Sequence, residues 1–232
     1  MKFNNIKAIL FDSGRVLNYP RTGNWFISPR IYEFIDRDIF DRVKELDINR
    51  AFRKAYDYIE KQSLIIDREQ EYYHFRRFYR IFSDELPILN LDDELVDMIA
   101  KDLVYNNRKY KFYDDVYEVI PKLYERYELG IVSDAWPSLL NVYEEAGLRD
   151  YFSTFIISSI MGVTKPDKGM FIPALEELGI SPAQTLFIDD NYSNCQGAEE
   201  LGINSIVLDR DKGYDEQVES ISSLDELVKI LD

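Results

Sequence analysis

The chain has 232 residues, of which 46% are hydrophobic and 14% aromatic, enough to bury a sizeable core and too many for a disordered protein. A net charge of −15 argues against a nucleic-acid binder, which carries a basic footprint, and reads as a solvated acidic surface. The single cysteine, Cys195, and single histidine, His74, exclude an intrachain disulfide, thiolate zinc sites and multi-histidine metal centres.

The first apolar run, Ile6–Leu10, is too short for a membrane span or a secretory signal and predicts a buried strand. No other run approaches a span, so the expected setting is cytoplasmic, with neither membrane nor nucleic-acid partners. From Asn18 to Lys111 there is no convincing strand. Ile39–Ile59, Leu64–Phe82 and Asp92–Tyr105 predict helices, and Phe75, Phe78, Tyr79 and Phe82 repeat at i, i+3, i+4, i+7 as a packing face. A Ser-His-Asp hydrolase would need His74 as its base, and His74 lies in this packing helix. From Tyr113 onward β-branched runs alternate with amphipathic stretches. Helix Asp114–Arg126 precedes strand Leu129–Val132, and helix Pro137–Ala146 follows, with Pro137 suited to its first turn and Gly147 to its stop. Strand Thr154–Ser158, helix Lys168–Leu178 capped by Asp167, strand Thr185–Ile188, helix Asn194–Leu201 and strand Ile203–Leu208 continue the alternation. A last helix begins at Ser222-Ser223, with Glu226 placed for a capping box. Such alternation predicts an α/β fold with a parallel sheet. The helical stretch is then an insert between the first strand and the rest.

Four polar clusters mark where the chemistry lies: Phe11-Asp12-Ser13-Gly14, Ser133-Asp134, Lys165-Pro166-Asp167 and Asp189-Asp190. Three of them end apolar strands, and ligands of open α/β sheets bind beyond the carboxyl ends of the strands. Asp12 is the candidate nucleophile, since a carboxylate can attack phosphorus and split one hard step into two; its alternative role is to cap the next turn. Adjacent Asp189 and Asp190 repel unless a cation neutralises them or one keeps its proton, and with Asp12 they suit Mg²⁺. Alternatively one caps a helix and the other is solvated. Ser133 offers a hydroxyl to a phosphate oxygen, and Lys165 offers a charge to the phosphoryl group and to Asp12.

The ordered set Asp12…Ser133…Lys165…Asp189-Asp190, within FDSGRVL (Phe11–Leu17), VSDAW (Val132–Trp136), TKPDKGMF (Thr164–Phe171) and FIDDNYSNCQGAEELGI (Phe187–Ile203), resembles the haloacid dehalogenase-like hydrolases. The resemblance covers roughly 6–17 and 112–210. It implies a Rossmann-like parallel sheet core, residues 1–17 and 112–232, with an inserted α-helical cap subdomain over 18–111. It further implies Asp12 as nucleophile, Ser133 and Lys165 on the phosphoryl group, and Mg²⁺ held by Asp12, Asp189, Asp190 and the Gly14 carbonyl. Asn191 and Asn194 either orient the acidic pair or only form the turn. The implied substrate is a small phosphorylated metabolite.

One departure stands out. Phosphatases of this superfamily usually carry a second aspartate two residues after the nucleophile, as general acid–base, where this chain has Gly14. Asp134 adds negative charge beside the phosphate unless it turns to cap the helix at Pro137. Arg15 either reaches an anionic ligand or braces the insert. Arg21, Trp25 and Arg30 stand where the chain enters the insert and either meet the leaving group or pack. Arg76, Arg77 and Arg80 are expected on a solvated helix face. A Mg²⁺-dependent phosphatase is the expected activity. The alternatives are a binding or regulatory protein that has lost efficient turnover, and a metal-independent haloacid dehalogenase, which leaves the Asp189-Asp190 charge unexplained.

Overall fold

The computed structural model describes residues 3, 5–211, 213–214 and 218–231. In chain order the first elements are β1 (Ala8–Phe11), β2 (Asn18–Pro20), α1 (Ile31–Phe34), α2 (Arg37–Phe40), α3 (Glu45–Ile59), α4 (Arg68–Glu85), α5 (Asp93–Tyr105) and β3 (Tyr110–Phe112). There follow α6 (Asp114–Tyr124), β4 (Glu128–Ser133), α7 (Leu139–Glu145), β5 (Thr154–Ile157), α8 (Ser158–Met161), α9 (Lys168–Leu178), β6 (Thr185–Asp189), α10 (Tyr192–Glu200), β7 (Asn204–Leu208), β8 (Ser220–Ile221) and α11 (Leu224–Leu231).

Six strands form one parallel sheet in the order β5-β4-β1-β6-β7-β8. The fold is α/β and Rossmann-like. Its strands are apolar throughout because helices cover both faces, as parallel sheets require. Alternate residues serve different cores. Ile9, Phe11, Leu129, Ile131, Leu186 and Ile188 join the side chains of α6, α7 and α11, whereas Leu10, Val132 and Phe187 meet Met170, Phe171 and Ala174 of α9 and Ala198 of α10. In α10, Gly197 permits close approach to the loop bearing Lys165: a Cβ there would stand 2.4 Å from the Cβ of Pro166. The Lys165–Pro166 peptide is cis.

Helices α3, α4 and α5 pack around a separate core that includes Ala51, Ala55, Ile59, Phe75, Phe78, Phe82, Ile99 and Leu103. Their starts are fixed by capping aspartates: Asp67 accepts the Gln70 N–H at 2.8 Å and Asp92 the Leu95 N–H at 2.9 Å. The run expected as one helix over Ile39–Ile59 is broken into α2 and α3, because the chain between them closes short turns, Arg42 N–H to Ile39 O and Val43 N–H to Phe40 O. The entering and leaving chains pair as the antiparallel ribbon β2–β3. These three-residue strands, like two-residue β8, are too short for any alternation to register in the sequence. Among the described residues no helix is long and apolar enough to cross a membrane.

A buried polar knot joins the helical core to the sheet. The Glu71 carboxylate of α4 accepts the Ser138 N–H at 2.7 Å and its hydroxyl at 2.6 Å, and Lys109 Nζ donates to Ser138 Oγ at 2.6 Å. Beside it Trp136, in the loop after β4, stands edge-on to Phe75 of α4 with centroids 5.2 Å apart.

Candidate active site

Strand β1 is central, and the chain passes to β4 and β5 on one side of it and to β6, β7 and β8 on the other. The crevice at such a switch point is where α/β sheets bind ligands. Phe11 is in register with Ile188, so one residue further Asp12 lies beside Asp189; the Asp12 N–H donates to Ile188 O at 2.8 Å. Ser133 ends the neighbouring strand β4.

Lys165 binds the two carboxylates together. Its Nζ donates to Asp12 Oδ1 at 2.7 Å and to Asp189 Oδ2 at 2.6 Å, and its side chain is 2% exposed. Burial pulls the ammonium pKa down, but the carboxylates of Asp12, Asp189 and Asp134 outweigh it, and the net shift is upward. Lys165 is therefore a fixed cation. Asp189 is pushed up by burial, against the pull of Lys165, and Asp12 raises it further. Both of its oxygens accept hydrogen bonds. Oδ1 accepts the Asn191 N–H at 2.7 Å, Asn194 Nδ2 lies 3.2 and 3.1 Å from the two oxygens, and Lys165 takes Oδ2. Asn194 thus orients Asp189, whereas the Asn191 side chain caps α10 through the Ser193 N–H at 2.9 Å.

Asp190 is half-buried and meets Arg15 Nη1 at 3.4 Å. Burial pushes its pKa up, Asp12 adds to this, and Arg15 opposes it. Arg15 thereby partners Asp190. Asp12, Asp189 and Asp190 each offer an oxygen within 4.8 Å of the others. Three carboxylates against one buried ammonium leave room for a hard cation, and this donor set fits Mg²⁺. Asp189 belongs to this set while also accepting from Asn191, Asn194 and Lys165.

Asp134 does not cap the following helix. Its Oδ1 accepts the backbone N–H of Lys165 at 3.0 Å, and α7 begins only at Leu139, without a side-chain cap. Asp134 therefore ties the loop after β4 to the lysine loop. Below Asp12, Ser13 Oγ lies 2.9 Å from Tyr143 OH and accepts from Asn18 Nδ2 at 2.6 Å. Arg210 braces the same loop by donating to Val16 O at 2.9 Å while pairing with both oxygens of Asp115. None of these supports carries a local sequence signal.

The space above Gly14 is filled. A Cβ at that position would meet the Trp25 ring at 3.2 and 3.3 Å, and Trp25 in turn stands edge-on to Tyr110 with centroids 4.9 Å apart. An indole thus lies where a side chain at position 14 would extend. Trp25 lines the cleft with Ser133, Lys165 and Asp190. Arg21 and Arg30 do not; they bind the Arg108 carbonyl and Glu33. Arg76 and Arg77 are exposed, and Arg80 pairs with Asp93. His74 sits on α4 with Nδ1 2.9 Å from Tyr58 OH, outside the cleft. The Cys195 thiol is buried and pushed up to about 12, which leaves it unreactive.

Comparison with known proteins gives a concordant result. The family model described as haloacid dehalogenase-like hydrolase matches residues 32–208. A glyceraldehyde 3-phosphate phosphatase from Methanopyrus kandleri is 26% identical over 216 residues, 90% of this chain and 87% of the relative. A phosphoserine phosphatase from Thermus thermophilus is 26% identical over 56% of this chain, and the match spans about half of that relative, 54%. Among solved structures, a 2-haloacid dehalogenase from Pseudomonas syringae superposes with TM-score 0.69 at 18% identity, over 97% of this chain and 98% of that one. A phosphatase from Thermococcus onnurineus gives 0.67 at 23%, over the same shares. At these identities the structural likeness is one of fold, shared by enzymes of both chemistries.

Proposed function

This chain belongs to the haloacid dehalogenase-like hydrolase family, and we propose that it is a Mg²⁺-dependent phosphatase acting on a small phosphate monoester through an aspartyl-phosphate. The observation that carries the reading is the buried bridge from Lys165 to Asp12 and Asp189, with Asp190 alongside, at the carboxyl end of the central strand. Support comes from the relative named a phosphatase that matches over most of both chains.

In the first step an Asp12 oxygen bonds to phosphorus as the ester P–O bond breaks. In the second, water adds to phosphorus and the Asp12–phosphorus linkage breaks, releasing phosphate. Lys165 neutralises the phosphoryl oxygens from its fixed position, and the Ser133 hydroxyl donates to one of them. Mg²⁺, when bound, supplies further charge neutralisation there. Asp12, Asp189, Asp190 and the Gly14 carbonyl are the groups that would hold it, and Asp189 also positions Lys165. Gly14 offers no acid–base carboxyl, so the leaving oxygen takes its proton from water, at a cost of about 10²–10⁴ in rate relative to a positioned acid. The same carboxylates count against a haloacid substrate, whose own carboxylate they would repel.

The test is phosphate release from a panel of phosphate monoesters by wild type and Asp12→Asn, with Mg²⁺ and with chelator. Turnover that needs Mg²⁺ and vanishes in Asp12→Asn is the expected result. Turnover that survives in Asp12→Asn, or no turnover across the panel, overturns the reading.

A further inference from the structure

The cleft above Asp12 encloses about 810 Å³, within the size range of small-molecule sites. Five aromatic rings stand in its walls: Trp25, Phe26, Tyr56 and Tyr110 from the insert side, and Trp136 from the loop after β4. These rings are held by other rings. Phe26 meets Tyr56 edge-on at 4.6 Å, Trp25 meets Tyr110 at 4.9 Å, and Trp136 meets Phe75 at 5.2 Å. Rigid aromatic walls favour flat, apolar faces.

The charges in the cleft narrow the ligand further. Its two cationic side chains, Lys165 and Arg15, are already paired with Asp12, Asp189 and Asp190. On the insert side the charged residue is Glu60, an anion. A second phosphate or a carboxylate on the leaving group would find no unpaired cation. Uncharged polar side chains, Gln62, Ser63 and Thr164, also line the cleft and suit a ligand that carries hydroxyl groups.

We infer that the alcohol carried by the phosphate is an uncharged, flat, hydroxylated ring system of nucleoside type, so that nucleoside monophosphates are preferred over phosphorylated acids and bisphosphates. The turnover part of this inference rests on the phosphatase reading; the ring site itself does not.

Both tryptophans of the chain, Trp25 and Trp136, line the cleft, so intrinsic fluorescence reads its occupancy without turnover. The full-length Asp12→Asn protein with Mg²⁺ is titrated with uridine and adenosine 5′-monophosphates, with 3-phosphoglycerate and phosphoserine, and with inorganic phosphate. The nucleotides are expected to bind about tenfold tighter than the phosphorylated acids, the contribution of one base–aromatic stack. Tyr56→Leu is expected to remove most of that difference while leaving inorganic phosphate binding unchanged. Nucleotides that bind no tighter than phosphorylated acids overturn the inference, and this ranking needs no Tyr56 variant. Wild-type turnover of phosphorylated acids in preference to nucleotides also overturns it, and leaves the phosphatase reading standing. Tight, ranked nucleotide binding with no turnover of any ester has the opposite meaning: the ring site holds and the phosphatase reading falls.

Discussion

Replacing Glu71 with alanine tests how the helical insert is fastened over the site. Glu71 is 0% exposed, Lys109 4% and Ser138 1%, so the knot is sealed from water. The Glu71 carboxylate accepts two hydrogen bonds from Ser138 and lies 3.6 Å from Lys109 Nζ. Burial already pulls the Lys109 pKa down, with Glu71 opposing that pull. Removing Glu71 strands a buried ammonium, a change that costs about 3–5 kcal/mol. In a chain of this size that lowers Tm by roughly 6–20 °C, at 2–4 °C per kcal/mol. Replacing both partners, Glu71→Leu with Lys109→Leu, removes the stranded charge and costs less than the sum of the two single changes. Urea unfolding of the four proteins in a double-mutant cycle measures this. Because Trp136 and Phe75 meet beside the knot, KM for the substrate also rises in Glu71→Ala as the cleft wall loosens. A Glu71→Ala protein within about 1 kcal/mol of wild type, or strictly additive single changes, refutes the reasoning.

Three further outcomes follow from the site and the insert. Lys165→Met leaves Asp12, Asp189 and Asp190 without their buried ammonium, costs about 3–5 kcal/mol in chelator, and is partly rescued by Mg²⁺ in thermal unfolding. A variant whose stability ignores Mg²⁺ contradicts the assignment. Gly14→Ala presses a methyl against the Trp25 ring and costs about 1–3 kcal/mol by overpacking; in a Trp25→Leu background the cost disappears, which chemical denaturation measures. An equal cost in both backgrounds places the strain elsewhere. Burial holds the His74 pKa below its ordinary value of 6.5. Between the two values the unfolded chain binds more protons, so this residue's contribution falls as pH drops through about 6.5 and levels off below the folded pKa. As the chain's single histidine it gives one NMR titration, and a midpoint at or above 6.5 contradicts the burial argument.

How far sequence reaches in this protein depends on the range of the interaction. The strands β1, β4 and β6 were readable because a parallel sheet buried on both faces needs unbroken apolar runs, and the polar residues that stop those runs, Asp12, Ser133 and Asp189, end on one edge. Asp67 and Asp92 act within one turn of their helices, and so does the pairing of Ser222 and Ser223 with Glu226. Local chemistry of that kind is written in consecutive residues. Tertiary structure alone decided the rest. Glu71, Lys109 and Ser138 are far apart in the chain and individually ordinary, and only their shared burial makes them a unit. Trp25 over Gly14 is a contact between two loops, so the lost carboxyl could be read from sequence but its occupied space could not. Asp134 stands before a helix as a cap would, yet the nearby amide of Lys165 takes its oxygen. The alternative donor lies thirty-one residues away in sequence and 3.0 Å away in space.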